Sequence, residues 1–416
     1  MAAEAPIPPP SPLTSRIATQ WRDDSSATSS SPTSTSGGGS SSASSSPGDA
    51  GAEDNAPDNQ AQETFFHYYG MLTHQQNMLQ DAVRTGTYQR AIAENGDDFR
   101  GKAVMDVGTG TGILAFFAQQ SGARIVFAVE ASKMAVHARL LVKANGQEGV
   151  IKVIEGKVES EVVRAAVTEQ VDMIVSEPMG FLLYHERMLE SFVEARDRFL
   201  KPGGKMFPSR GEIFLAPFTD AALYQEQTEK SKWWLQKDFY GVDVSVLEAQ
   251  ALKDHMAQPI VGYFDPSILI AEASSTPHHT VDFATVGLEE MKTVDMPFAF
   301  TIKTTALLHG IASWFDVTFD GSQSVVRLST SPYATGTHWY QCRLLLTEPI
   351  AVNKGQSVTG RLHMVANDSQ SFDVTLDVSL DGTDITSTSV FKLQDQMYHY
   401  LQHPTPAGEW DGYAYT

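Results

Sequence analysis

The sequence predicts an α/β domain, a doubly wound Rossmann-like fold, followed by an antiparallel β-barrel domain. Three observations carry this. Short apolar runs of strand type alternate with helical runs through the first half of the chain. A glycine turn joins the first strand to its helix. From about Pro208 the pattern shifts to period-two strands punctuated by Gly, Pro and Asp.

In order along the chain, residues 1–60 hold 15 serines, and no Val, Ile, Leu, Met or Phe lies between Trp21 and Thr64. Such a stretch buries too little apolar surface to offset its ordering entropy, so residues 1–64 are expected to be a disordered tail. A Ser-rich plastid transit peptide is the rival reading, disfavoured by Glu4, Asp23 and Asp24. No charged and apolar secretory leader is visible. Residues 66–94 carry apolar positions at helical spacing, interrupted near Gly86, and predict two helices. Ala103–Val107 and Ile125–Val129 read as buried parallel strands around the apolar helix Ile113–Ser121, and Val150–Ile154 and Val171–Val175 continue the series. The α/β domain is thus expected over 65–208 and the barrel over 209–400. Helical stretches Asp220–Leu235 and Leu247–His255 lie in the barrel's first part, and 401–416 is expected to be a flexible end. Ser371–Leu380 alternates strictly, with Phe372, Val374, Leu376, Val378 and Leu380 on one face, and Asp381–Gly382 follows as a turn.

Composition narrows the function classes. The chain has 50 acidic and 30 basic side chains and a formal charge of −20. That argues against nucleic-acid binding as its main task and suits basic protein partners. The single cysteine, Cys342, excludes an internal disulfide and a multi-cysteine zinc site, and no metal site is expected. No apolar run approaches the roughly 18 residues of a membrane span.

Asp106-Val-Gly108-Thr-Gly110-Thr-Gly112 stands where a strand gives way to a helix. Glycines allow a tight turn and close approach of a ligand to free helix N–H groups. Glu130 ends the next strand, where a carboxylate accepts hydrogen bonds from both hydroxyls of a ribose. An acidic residue just before the glycines is more usual for S-adenosylmethionine than for a dinucleotide.

The fourth strand runs into Ser176-Glu177-Pro178-Met179-Gly180, and Glu186 follows after FLLYH. This loop lies beyond the carboxyl ends of the strands, where open α/β sheets bind ligands. Pro178 and Gly180 bend the chain so that both carboxylates face one pocket, and FLLY is too apolar for a free loop. The alternative for Glu186 is a surface residue paired with an arginine. Paired carboxylates suit a guanidinium, which presents five donors in a planar fork.

These residues resemble the type I protein arginine methyltransferases, and most of all their coactivator-associated branch. The resemblance runs from about Phe65 to Tyr400. It rests on QQNMLQDAVRTGTYQRAI, VMDVGTGTGIL, FAVEAS, SEPMGFLLYHERMLES and Thr337-His338-Trp339. It implies methyl transfer from S-adenosylmethionine to arginine in proteins, giving monomethyl and asymmetric dimethylarginine. It also implies a helical dimerisation arm at about 220–256 and a homodimer. Histone tails or other Arg-rich proteins are the implied substrates, in nucleus and cytoplasm. By motif, Glu177 and Glu186 grip the substrate guanidinium. Arg84 pairs with the cofactor carboxylate, Glu130 with its ribose, and Glu159 and Ser191 line the adenine end. Gln75, Gly108 and Gly110 complete the cofactor contacts, and Phe66 covers it. His338 paired with Asp81, Tyr69, and Met78 belong to the catalytic pocket, where Met78 directs both methyls to one nitrogen. Phe65 stands where the family usually has Tyr. The Trp233, Trp234, Phe239 and Tyr240 cluster falls in the arm, as dimer contact or as plain core. Two other functions stay open on sequence alone: a dinucleotide-dependent oxidoreductase, in which the double-Glu loop has no role, and a non-enzymatic scaffold.

Overall fold

The computed structural model describes residues 64–399 apart from Ala273 and Ser275, so the Ser-rich stretch up to 63 and the 401–416 end lie outside the described residues. Three helices lead in: α1 (64–69), α2 (Leu72–Gln80) and α3 (Ala82–Glu94). The break expected near Gly86 falls instead at Asp81. This residue leaves helical geometry (φ −68°, ψ 96°) and caps α3 by accepting the Arg84 backbone N–H at 2.8 Å. Gly86 lies inside α3. A glycine costs a helix only about 1 kcal/mol, whereas an Asp N-cap defines a start.

The parallel sheet has strands β1 (Ala103–Val107), β2 (Ile125–Glu130), β3 (Ile151–Glu155), β4 (Val171–Ser176) and β5 (Leu200–Phe207), in the order β3-β2-β1-β4-β5. Helices α4 (Ile113–Gln120), α5 (Met134–Ala144), α6 (Glu161–Ala166) and α7 (Met188–Phe199) make the crossovers. All five β1 residues are buried, as a central parallel strand requires. The chain winds outward through β2 and β3, then returns past β1 to β4, so the switch point lies between β1 and β4. Register decides what meets there. Val107 pairs with both Val129 and Ser176, which brings Gly108, Glu130 and Glu177, each one residue further on, to the same sheet edge.

From Arg210 onward the sheets are antiparallel, apart from one short parallel edge pair. The strands are β6 (Arg210–Phe218), β7 (Ile260–Gly262), β8 (His279–Asp282), β9 (Thr293–Thr301), β10 (Ala306–Asp320), β11 (Val325–Ser329), β12 (Gln341–Val352), β13 (Ser357–Asn367), β14 (Ser371–Leu380), β15 (Thr386–Lys392) and β16 (Met397–Tyr398). They form a sheet β16-β7-β12-β10-β6-β8, with β11 also on β10, and a second sheet β15-β14-β13-β9. Together the two make a barrel-like body. β14 buries Phe372, Val374, Leu376, Val378 and Leu380, as the alternation predicts, and Gly382 follows at φ 75°. Between β6 and β7 stand α8 (Ala221–Ser231) and α9 (Glu248–Met256), which pack on each other. Beyond them Trp233, Trp234, Phe239 and Tyr240 form a chain of edge-to-face rings with centroids 4.9–5.4 Å apart, and Trp233 and Tyr240 are exposed.

The two bodies lock at Asn95, which is fully buried at the end of α3. Its Nδ2 donates to the Ala91 carbonyl at 2.9 Å, and its Oδ1 accepts the backbone N–H groups of Gln323 and Ser324 at 2.9 and 2.8 Å. Those residues form the β10–β11 turn, where a side chain on Gly321 would collide with the Asn95 amide. Asn95→Ala strands two turn N–H groups and is expected to cost about 2 kcal/mol, read as a lower denaturant midpoint. An unchanged midpoint would remove Asn95 from the junction.

Candidate functional site

The first wall is the glycine turn. Gly108, Gly110 and Gly112 have φ of 69°, 56° and 93°, which only glycine adopts without strain. A Cβ on Gly110 would lie 2.5 Å from Gln75 Oε1, and one on Gly108 would overlap the Met188 methyl. Glu130 is buried at the end of β2; its Oε2 accepts the Gly110 N–H and its Oε1 the Ser132 N–H, both at 2.8 Å. Each oxygen keeps a further lone pair, so the carboxylate is oriented and still able to accept two hydroxyls. Asp106 accepts Thr109 Oγ1–H at 2.5 Å and the Ala115 N–H at 3.0 Å through Oδ2, while its buried Oδ1 has no partner. Burial pushes the Asp106 carboxyl up to about 7, against the pull of those two hydrogen bonds.

The second wall is the double-carboxylate segment, a tight hairpin as its apolar residues predict. Gly180 bridges Leu183, and Met179, Leu182, Leu183 and Tyr184 are buried. Glu177 accepts Arg84 Nε and Nη2 on the single oxygen Oε2, each at 3.0 Å. The expected cofactor-facing Arg84 is thus aimed, in this structure, at one of the two acids. Glu186 sits at φ 74° and accepts the Tyr69 hydroxyl on both oxygens, at 2.9 and 2.8 Å. Burial raises its carboxyl to about 7, and the neighbouring Glu177 charge adds to the rise while the Tyr69 hydrogen bond opposes it. Burial and the Glu186 charge keep Tyr69 protonated, well above the usual tyrosine range.

The third wall joins the helices to the barrel. Asp81 Oδ2 accepts the His338 backbone N–H at 2.8 Å and lies 2.7 Å from His338 Nδ1. Burial alone would raise the Asp81 carboxyl, but the hydrogen bonds and charge of His338, with the Arg84 N–H, hold it below the usual range. Trp339 Nε1 donates to the Met179 carbonyl at 2.8 Å, tying this loop to the hairpin. Met78 is half-buried one turn before Asp81, and its carbonyl lies 3.5 Å from Arg84 Nη1. Gln75 Nε2 donates to the Tyr69 carbonyl at 3.1 Å.

Glu177, Glu186, Tyr69, Met78, Asp81, Arg84 and His338 therefore form one linked cluster, and Gln75, Gly108, Gly110 and Glu130 form the wall beside it. Glu159 and Ser191 pair with each other at 2.6 Å, and Phe66 has Lys157 Nζ 5.4 Å from its ring centre. Phe65 packs on Tyr69 with ring centres 4.7 Å apart, an apolar contact that supports the hydroxyl holding Glu186. Sequence reasoning passed over Met188, whose signal was its place directly after Glu186-Arg187. It also passed over Tyr88, whose hydroxyl donates to the Ser176 carbonyl at 2.8 Å beneath Glu177. No group of three or more metal-ligating side chains occurs among the described residues.

The Glu186 environment has a measurable cost. A carboxyl raised from 4.5 to about 7 on folding binds its proton more tightly in the native state. Stability therefore falls as pH rises from about 4.5 to 7, by about 3 kcal/mol in total. Glu186→Gln is expected to be more stable than the parent above pH 7 and to lose that advantage near pH 4.5. Parallel stability curves for the two proteins would show that Glu186 ionises freely.

Known proteins resemble this chain in sequence and fold. Residues 209–383 match the arginine methyltransferase oligomerization subdomain, and residues 92–210 match the ribosomal protein L11 methyltransferase (PrmA) family. A rice protein described as a probable histone-arginine methyltransferase CARM1 is 48% identical over 351 residues, 82% of this chain and 65% of that protein. The histone-arginine methyltransferase CARMER of Aedes aegypti is 48% identical over 343 residues, 82% of this chain and 56% of its own length. The chain thus spans less than two thirds of these curated relatives. Among solved structures, Arabidopsis thaliana protein arginine methyltransferase 10 superposes with a TM-score of 0.71 at 32% identity, over 78% of this chain and 99% of that one. The Trypanosoma brucei PRMT1 enzyme–prozyme complex with AdoHcy gives 0.69 at 33% identity, over 78% and 99%. By sequence and fold, the chain belongs to the protein arginine methyltransferases.

Proposed function

We propose that this chain transfers methyl groups from S-adenosylmethionine to guanidino nitrogens of protein arginines, giving monomethyl and then asymmetric dimethylarginine. One observation carries the reading. Two carboxylates lie close enough to interact, and among the described residues the cation paired there is Arg84, which sits on Glu177. Glu186 is left with a phenol for a partner and a carboxyl raised to about 7. A buried acid without a cation is built to receive one, and a planar guanidinium matches carboxylate geometry.

The glycine turn and Glu130 fit the cofactor: the turn has the close approach only glycine permits, and Glu130 has free lone pairs for ribose hydroxyls. In this reading Gln75, Arg84, Gly108, Gly110 and Glu130 hold it, with Glu159 and Ser191 at its adenine end and Phe66 above. Bound S-adenosylmethionine supplies an activated methyl on a cationic sulfur. The chain must then hold a second cation nearby, and like charges about 4 Å apart at an effective dielectric near 20 repel by about 4 kcal/mol. Glu177 and Glu186 offset that repulsion and orient the guanidinium. A Glu186 carboxyl near 7 is also matched to accepting a proton at neutral pH. Tyr69 fixes Glu186, Asp81 fixes His338, and Met78 narrows the pocket so that both methyls go to one nitrogen.

The −20 charge suits basic substrates such as histone tails and other Arg-rich proteins, in nucleus and cytoplasm. The exposed rings at the tip of the 220–256 arm fit a homodimer contact, with 65–208 holding the cofactor and 209–400 carrying the arm.

Incubation with S-adenosylmethionine and mixed histones, followed by hydrolysis, is expected to release asymmetric dimethylarginine. Symmetric product would overturn the Met78 role, and no methylarginine despite cofactor binding would overturn the activity. Glu186→Gln is expected to abolish transfer while cofactor affinity stays within a few-fold. In the parent, kcat/KM is expected to fall as pH drops below about 7, as Glu186 protonates. Tyr69→Phe should move that limb to higher pH, because it removes the bond that lowers the Glu186 pKa. A profile flat from pH 6 to 8 would remove Glu186 from the reaction.

A further inference from the structure

Backbone strain in this molecule is concentrated around one residue. Among the described residues seven non-glycine positions have positive φ, and four of them, Leu182, Leu183, Glu186 and Arg187, lie in the double-Glu hairpin. Left-handed non-glycine residues are disfavoured and persist only when their surroundings over-determine them. Both residues flanking Glu186 bond to a single turn of the barrel. On one flank, His185 Nδ1 lies 2.9 Å from the fully buried Ser371 hydroxyl. On the other, Arg187 Nη1 donates to the Asn367 carbonyl at 2.9 Å, while its Nε and Nη2 grip Glu190 at 2.7 and 3.0 Å. Asn367 and Ser371 are opposite ends of the β13–β14 turn and pair in register, and Gln370 within it is itself at φ 53°. The hairpin is pinned further by Tyr184, whose hydroxyl meets His279 Nε2 at 2.8 Å, and by Phe181 stacked on His185.

We propose that the β13–β14 turn, residues 367–371, positions Glu186, with His185 and Arg187 as the positioning residues that tie the hairpin to it on both sides. Glu186 is thereby held in a conformation its own backbone disfavours, facing Tyr69 and the pocket. The turn belongs to the barrel and not to the parallel sheet that carries the cofactor wall, so its loss acts on the acceptor side of the site and leaves cofactor binding intact. As a statement about catalysis the proposal rests on the methyltransferase reading.

The test compares Ser371→Ala, His185→Ala and His185→Asn in the full chain, with methyl transfer to an arginine peptide and isothermal binding of S-adenosylmethionine. A carboxamide in place of the imidazole can meet the Ser371 hydroxyl as Nδ1 does, so His185→Asn is the rescue variant. Ser371→Ala and His185→Ala are expected to lower kcat at least tenfold with cofactor affinity within twofold, and His185→Asn to stay within threefold of the parent. A kcat retained in Ser371→Ala, equal losses in His185→Asn and His185→Ala, or a matching loss of cofactor affinity would overturn the proposal. Amide hydrogen exchange over 180–187 supplies a readout independent of activity. It should quicken at least tenfold in Ser371→Ala, and unchanged exchange would overturn the proposal even if the parent protein transferred no methyl group. Absence of transfer by the parent would instead overturn the activity.

Discussion

Three hydrogen bonds converge on Asp81: from the Arg84 N–H, the His338 N–H and the His338 ring. The rest of the site depends on them. The cap starts α3 at the phase that swings Arg84 onto Glu177. The two bonds to His338 hold the Thr337–Trp339 loop, from which Trp339 fixes the Met179 carbonyl in the neck of the hairpin. A single buried carboxylate thus sets the helical wall, the barrel loop and the hairpin relative to one another. It is held ionised because its donors outweigh the burial penalty.

The charge balance follows from that frame. Arg84 neutralises Glu177, so the energetic burden of the pocket falls on Glu186, whose partners are neutral. The molecule bears this as a raised carboxyl and as strained backbone at the same residue. A positive charge beside Glu186 would lower the raised carboxyl, whereas the backbone strain is set by the packing of the hairpin. Both features reduce the stability of the folded chain.

Much of this was legible in the sequence because its signals are local. Apolar runs marked β1 to β4, Asp106 to Gly112 marked the ligand turn, and FLLY marked a packed hairpin. Glu177 and Glu186 were legible as a carboxylate pair in one loop, Tyr69, Asp81 and His338 came from motif resemblance, and the structure brings these side chains together. What escaped was set by distance along the chain or by competition between weak signals. Gly86 looked like a break, yet the N-cap five residues earlier prevailed. His185 and Ser371 are 186 residues apart, and no periodicity reports that they touch. Asn95 is fully buried because a turn more than 200 residues downstream needs its amide, which polarity alone would place at the surface.

Strand β10 has a further consequence. Phe315, Val317 and Phe319 on one face belong to the core shared with the parallel sheet and the hairpin, and Phe315 touches Trp339 edge-on. Ala312 and Trp314 on the other face belong to a separate core with Leu223, Met256 and Phe264 beneath the arm, where Trp314 stacks on Phe214. The barrel wall is thus one strand thick between two separate cores, and alternate residues answer to different neighbours. Substitutions on the Trp314 face can follow a change in the packing of α8 and α9 without repacking the Phe315 face. A lineage built on this wall can diversify its helical layer while its pocket stays the same.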